Sequence, residues 1–413
     1  MARPNLIVAL DVGSGKVTAV AAMQNPETNI LDIVAGKSIP CSGVRGGVVC
    51  DIRELSTAVY ALVSSLEREC ERSIDQIFVA IRGSHLESFS NKGSYHLGAR
   101  DREITLNDMN LAVENAKSVP LKSNCEIINV IEQDFAINGQ WGSPNPEGME
   151  GSLLDVRVLI VTGMSAHLKN LTKAIQRQGY QIEGNVYGLL ALGDAVLTSD
   201  EKNNGAVLID FGGETTSIGI YSGGVLKFSH DLPVGCDAIT GDLCRMLGTT
   251  RKAAKDIKER YGVTHPSLLK KEDIQVPSMD GEKFHLENTS KVLDYIQPCV
   301  EELLEKVETA ALESGYDLKN LPLVGVITGG GSAMAGMDLL TMNILGLKDV
   351  RRGRISRDLI HAPEEFLTPE YSTAIALALY VNKTNNYENY YNTKTDGTGF
   401  GKIGKWVKSI LGY

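Results

Sequence analysis

The sequence has no positive surplus, no paired cysteines and no long apolar run. Its 51 acidic residues outnumber 41 lysines and arginines, a formal net charge of -10. That argues against general nucleic-acid binding, which needs a basic surface. The seven cysteines, Cys41, Cys50, Cys70, Cys125, Cys236, Cys244 and Cys299, are odd in number and scattered, with no CxxC pair. They read as reduced cytosolic thiols, with neither a disulfide framework nor a zinc site. No apolar stretch reaches the roughly 18 residues that a spanning helix requires. The run Leu6–Leu10 is interrupted by Asp11 and is too short for a signal-peptide core. Membrane contact is therefore expected to be peripheral. A GxxxxGK[ST] loop is also absent, which rules out a Walker A phosphate site.

What the 413 residues do contain is ordinary globular composition, 43% apolar and 22% charged, at a length that suggests roughly two to four domains. Apolar strands alternate with helices of period 3.6. Leu55, Val59, Leu62, Val63 and Leu66 share one face of a helix predicted over 51–72. Further helices are predicted over 165–178, 187–197, 250–261 and 293–314. This alternation argues for α/β sheets covered on both sides. Residues 84–162 differ: short polar strands, one helix over 106–117 and a Gly/Pro/Asn-rich stretch indicate an inserted α+β unit.

Three glycine turns carry the chemistry. The first, Asp11-Val-Gly-Ser-Gly-Lys16, follows an apolar strand. Gly13 and Gly15 leave backbone N–H groups open to phosphate oxygens, Ser14 adds a hydroxyl and Lys16 a charge. The second, Asp210-Phe-Gly-Gly-Glu-Thr-Thr216, repeats the pattern: aligning Asp11 with Asp210 puts Gly13 on Gly212. Gly213, Glu214, Thr215 and Thr216 complete it. The third joins an apolar strand to Gly329, Gly330, Gly331 and Ser332, with a helix expected from Met334. Asp11 and Asp210 are candidate holders of a magnesium ion through its waters. Each turn alone is also an ordinary tight connection. All three in this order, with a repeat between the first two, point to a nucleotide site.

The end of the chain has its own pattern. Residues 382–400 are polar and poor in aliphatics, as in a flexible tether. Beyond them Ile403, Trp406, Val407, Ile410 and Leu411 fall on one helical face, and Lys402, Lys405 and Lys408 on the other. An apolar stripe with a Trp opposite lysines suits an anionic lipid surface. Docking on the protein's own core or on a partner groove is the alternative.

The three turns resemble the phosphate-1, phosphate-2 and adenosine motifs of the actin, DnaK-type chaperone and sugar-kinase superfamily. Within it the chain resembles the FtsA family of bacterial cell-division proteins over nearly its whole length. Gly46-Gly-Val-Val-Cys-Asp-Ile52, Ala116-Lys-Ser-Val119, Leu247-Gly-Thr249 and Tyr371-Ser-Thr-Ala374 carry the likeness. The resemblance implies an actin-like fold of two ribonuclease-H-like lobes with ATP and Mg2+ between them. Residues 1–83, 163–200 and 371–382 would form the first lobe, with 84–162 inserted. Residues 201–240 and 311–370 would form the second, with 241–310 as its subdomain. A flexible linker (383–400) would lead to a membrane-targeting helix (401–413). It also implies self-association into filaments, capture of the FtsZ C-terminal tail and recruitment of later division proteins at the membrane's cytoplasmic face, at the septum.

The match has departures. Relatives often read Gly-Gly-Gly-Thr-x-Asp in the second motif, where this chain has Glu214 and Ser217. Lys258 matches the adenosine-side lysine, but the acid often found three residues earlier is Lys255 here, with Asp256 as a substitute. The nearest match to a water-positioning residue is Asn185, a neutral amide and poor base that implies slow hydrolysis; it equally suits a helix N-cap. The rival readings are a pilus platform protein of the PilM type, which usually lacks this tail, and a sugar kinase or chaperone ATPase of the same fold.

Overall fold

The computed structural model describes residues 6–25, 28 and 30–394, with side chains described to residue 384. The predicted tail helix, from Lys402 to Leu411, lies outside the described residues.

Two sheets are built to one plan. In the first, Leu6–Val12 pairs antiparallel with Lys16–Gln24 and parallel with Gln76–Ile81. In the second, Ala206–Phe211 pairs antiparallel with Thr216–Ser222 and parallel with Val324–Thr328. The turns match bond for bond. Gly13 N–H donates to the Lys16 carbonyl at 3.0 Å, and Gly212 N–H to the Thr215 carbonyl at 3.0 Å. The repeat at Asp11 and Asp210 is thus a repeat in space. Strands Leu31–Pro40, Gln181–Tyr187 and Ile360–His361 complete a six-stranded first sheet; Val225–Leu232 and Val350–Arg352 complete a five-stranded second.

Helices cover these sheets with the faces their periodicity dictates. Ile52–Cys70 starts where the Asp51 carboxylate accepts from the N–H groups of Arg53 and Glu54, and buries Leu55, Val59, Leu62, Val63 and Leu66. In the second lobe, Thr289–Glu313 buries Val292, Ile296, Val300, Leu303 and Val307.

The insertion is a four-stranded antiparallel sheet under one helix, Leu106–Lys117, with its own core. A capping box between Thr105 and Asp108 starts that helix. It lies so close to the sheet that a Cβ on Gly93 would sit 2.2 Å from the Ala112 carbonyl. The insertion also touches the second lobe: Ser88 Oγ donates to the Ser229 carbonyl at 2.7 Å, and Gln133 Nε2 to the Leu226 carbonyl at 2.9 Å.

Three boundaries differ from the sequence expectations. The chain returns to the first lobe at Ile360, not at residue 371, because Ile360–His361 pairs with Leu31–Asp32. The segment expected to begin a flexible tether is helical to Lys394. Packing of Thr373–Val381 in the core nucleates that helix, and propagation costs far less than nucleation. The third glycine turn is itself a 3-10 turn, Gly330–Ala333, and the helix starts at Met337 after a left-handed Gly336 (φ 85°), not at Met334. No described helix is long and apolar enough to cross a membrane.

Candidate nucleotide cleft

The strand register puts the three glycine turns at one end of the two lobes. Asp11 stands opposite Ala80, one strand over, and Asp210 opposite Thr328. Between the lobes lies a cavity of about 750 Å³, within the range of small-molecule sites. Its walls include Gly13, Ser14, Gly15 and Lys16 from the first turn, Gly212 and Gly213 from the second, and Gly329, Gly330 and Gly331 from the third. Asp11, Asp210 and Lys258 line it too.

These glycines do different work. Gly329 has φ 79°, and a Cβ there would lie 2.5 Å from Asp210 Oδ1; one on Gly331 would lie 2.3 Å from Cys236 Sγ. Both are demanded by packing. A Cβ on Gly15 or Gly330 would meet nothing within 4 Å, so at these cleft-lining positions a side chain would occupy ligand space. The second turn is clamped from behind: the Gly212 and Gly213 carbonyls accept from Cys236 N and Asp237 N at 3.0 and 2.7 Å.

Four expected nucleotide contacts do not line the cleft. Glu214 turns away and accepts from Gly46 N–H of the other lobe at 2.8 Å, which removes its charge from the phosphate side. Thr215 closes the turn through its carbonyl, and the buried Thr216 hydroxyl has no partner. Ser332 Oγ donates to the Gly329 carbonyl at 2.7 Å. Asn185 lies inside the strand Gln181–Tyr187, away from the cleft walls, with its Oδ1 buried and unpartnered. It is not the N-cap of the following helix; Tyr187 holds that position. Glu259, not Asp256, is the acid beside Lys255 and Lys258 on the far wall. Helical period explains this, since 255, 258 and 259 share a face. Burial pulls the Lys258 ammonium below its ordinary pKa, and its Nζ donates to the Cys236 carbonyl at 2.9 Å. Lys16 is held by Glu370, with Nζ 2.7 Å from Oε1.

Arg82 is the most consequential of the cleft residues that sequence reasoning missed. It lies one residue past the strand Gln76–Ile81. Its Nε is 3.2 Å from Asp11 Oδ1, and its Nη1 is 3.2 Å from Asp210 Oδ2. Its Nη2 donates to Thr373 Oγ1 at 2.6 Å. The only signal was a lone arginine ending an apolar strand. Behind it lies the buried carboxylate of Asp231, held by the hydroxyls of Ser217 and of Tyr187, the latter at 2.7 Å. Burial raises the Asp231 pKa, against those hydrogen bonds.

The donors present fit a hydrated divalent ion. Asp11 Oδ1 is buried and accepts no hydrogen bond, and burial raises its pKa against the pull of Arg82. Asp210 supplies a second oxygen donor, steadied by Thr328 Oγ1 at 3.1 Å. Among the described residues no cluster of three or more ligating side chains exists. Two carboxylates plus water and phosphate oxygens is the arrangement Mg2+ favours.

Two family models match the chain: "Cell division protein FtsA" over residues 207–376, and "SHS2 domain inserted in FTSA" over residues 83–162. The chain is 34% identical to the cell division protein FtsA of Neisseria meningitidis serogroup B, over 90% of this chain and 89% of that protein. It is 27% identical to the FtsA of Escherichia coli K12, over 98% and 96%. Among solved structures it resembles a PilM–PilN type IV pilus biogenesis complex, with a TM-score of 0.64 and 18% identity over 92% of this chain and 99% of that one. It also resembles MreB5 of Spiroplasma citri bound to ADP, with a TM-score of 0.54 and 12% identity over 94% and 99%. These two likenesses establish an actin-like fold.

Proposed function

The chain belongs to the FtsA family of actin-like cell-division proteins, and from that premise we propose that it binds ATP with Mg2+ between its lobes and works as a membrane-bound scaffold of the division septum. The observation that carries the nucleotide half is the convergence of three glycine turns, Asp11 and Asp210 on one cleft. Gly13, Gly15 and Gly212 present backbone to the phosphates, and Ser14 and Lys16 add a donor and a charge. Lys258 forms the adenosine side with the Gly329–Gly331 platform, whose inner edge also meets the phosphates. Asp11 and Asp210 hold the magnesium ion, which when bound neutralises phosphate charge. With Asn185, a neutral amide, off the cleft walls, hydrolysis is slow at most.

The scaffold half has three parts. The lysine-backed stripe from Ile403 to Leu411 grips anionic lipid on the inner face of the cytoplasmic membrane. The protein assembles into filaments, which adds avidity to a weak single anchor. It captures the FtsZ tail through the second lobe's subdomain and recruits later division proteins. The fold is shared with pilus platform proteins, but the matched insertion and the 34% identity favour the division reading. Calorimetry with ATP, followed by co-sedimentation with anionic vesicles and an FtsZ-tail peptide, tests it. Absence of ATP binding sinks the nucleotide half; a protein that pellets neither with vesicles nor with peptide sinks the scaffold half.

A further inference from the structure

Arg82 sits at a junction. It ends the first lobe's strand, the matched insertion begins one residue later, and its guanidinium crosses to the second lobe. Its carbonyl is packed against Gly47, where a Cβ would lie 2.3 Å away, so the backbone is fixed while the side chain reaches the cleft. The neighbouring Gly46 N–H donates to Glu214, so two links join the lobes here.

Both carboxylates that Arg82 touches are those suited to a divalent ion. Its contacts with them, at 3.2 Å, exceed the roughly 2.7–2.9 Å of a strong charged hydrogen bond. Nε lacks hydrogen-bond geometry altogether. A guanidinium carries five N–H donors and keeps its charge, so Arg82 is an under-used cation. A hydrated divalent ion drawn to Asp11 and Asp210 competes with it directly. The displaced guanidinium, already lining the cleft, can turn its free N–H donors to the phosphate oxygens of the ligand.

We propose that Arg82 is the specificity-determining residue that reads the terminal phosphate, separating a nucleoside triphosphate from a diphosphate. This rests on the nucleotide reading of the cleft. Reading that phosphate also loosens the Arg82–Asp210 link, so nucleotide state is passed to the lobe contact at the root of the insertion.

The test is calorimetric titration of full-length parent, Arg82→Gln and Arg82→Lys with ATP and with ADP, each in Mg2+. A charged hydrogen bond to phosphate predicts a 10- to 100-fold loss of ATP affinity in Arg82→Gln, with ADP affinity changed less than about threefold. Arg82→Lys keeps the charge without the fork, so it folds if Arg82→Gln does not, and it loses part of the preference. Equal weakening of ATP and ADP in both variants, an unchanged ratio in both, or a parent with no preference overturns the proposal. A parent that binds neither nucleotide overturns the cleft reading instead.

Discussion

Substituting adjacent glycines of the third turn should separate folding from ligand binding. A Cβ on Gly330 meets nothing within 4 Å, and its φ is not in the left-handed region. Gly330→Ala and Gly330→Asp should therefore fold like the parent. The aspartate, however, places a carboxylate in the cleft. At about 5 Å from one phosphate charge and an effective dielectric of about 40, the repulsion is roughly 1.7 kcal/mol. Two such charges weaken ATP on the order of 100-fold. Gly331 is the opposite case. Its Cβ would lie 2.3 Å from Cys236 Sγ and 2.8 Å from Phe211 Cβ, both fully packed residues. Gly331→Ala should cost about 1–3 kcal/mol of stability through overpacking. Calorimetry with Mg-ATP and chemical denaturation read the two effects. A Gly330→Asp protein that folds and binds ATP as the parent does would show that this turn does not face the nucleotide.

Further outcomes can be measured. ATP turnover should stay far below the enzyme median of roughly 10 per second; a steady-state rate near that value would mean a missed base. Burial beside His167 holds the His85 imidazole down at about 4. An unfolded histidine takes its proton near 6.5, so the folded state loses stability as pH falls from about 6.5 to 4, by up to about 3 kcal/mol. His85→Gln should flatten that limb of the pH–stability curve, and an unchanged slope would refute the assignment. Lys405→Glu should weaken binding to anionic vesicles in a salt-sensitive way, and Trp406→Glu should abolish it at any salt. Removing everything after Lys394 should release the protein while ATP binding persists; a truncated chain that still pellets places the anchor elsewhere. A cut at Tyr380 would be uninformative, because Val381 is fully buried and Lys383 pairs with Asp194.

Much of this architecture was legible because local signals and tertiary structure agree. The hairpins at Asp11 and Asp210 announce themselves by apolar strand, acid and glycine, and the helix Ile52–Cys70 by its period. What escaped depends on register between distant segments. Arg82 acquires meaning only when Ala80 lies beside Asp11. Glu214 is a departure from the second motif whose role depends on Gly46, a partner from the other lobe. Two pairs, Ile360 with Leu31 and His361 with Asp32, moved a lobe boundary, and so short a strand leaves little periodicity to read.

The helix Ser372–Lys394 continues past its buried stretch, and this changes how the end of the chain is carried. Residues 383–394 advance about 18 Å as a helix at 1.5 Å per residue. As a random coil the same residues would reach a similar root-mean-square distance, about 20 Å, in every direction. The reach is nearly the same; the heading is not. A rod rooted between Ala374 and Val381 carries the chain to Lys394 along one axis of the first lobe. Every copy of the protein therefore presents residue 394 at the same place and on the same heading relative to its first lobe.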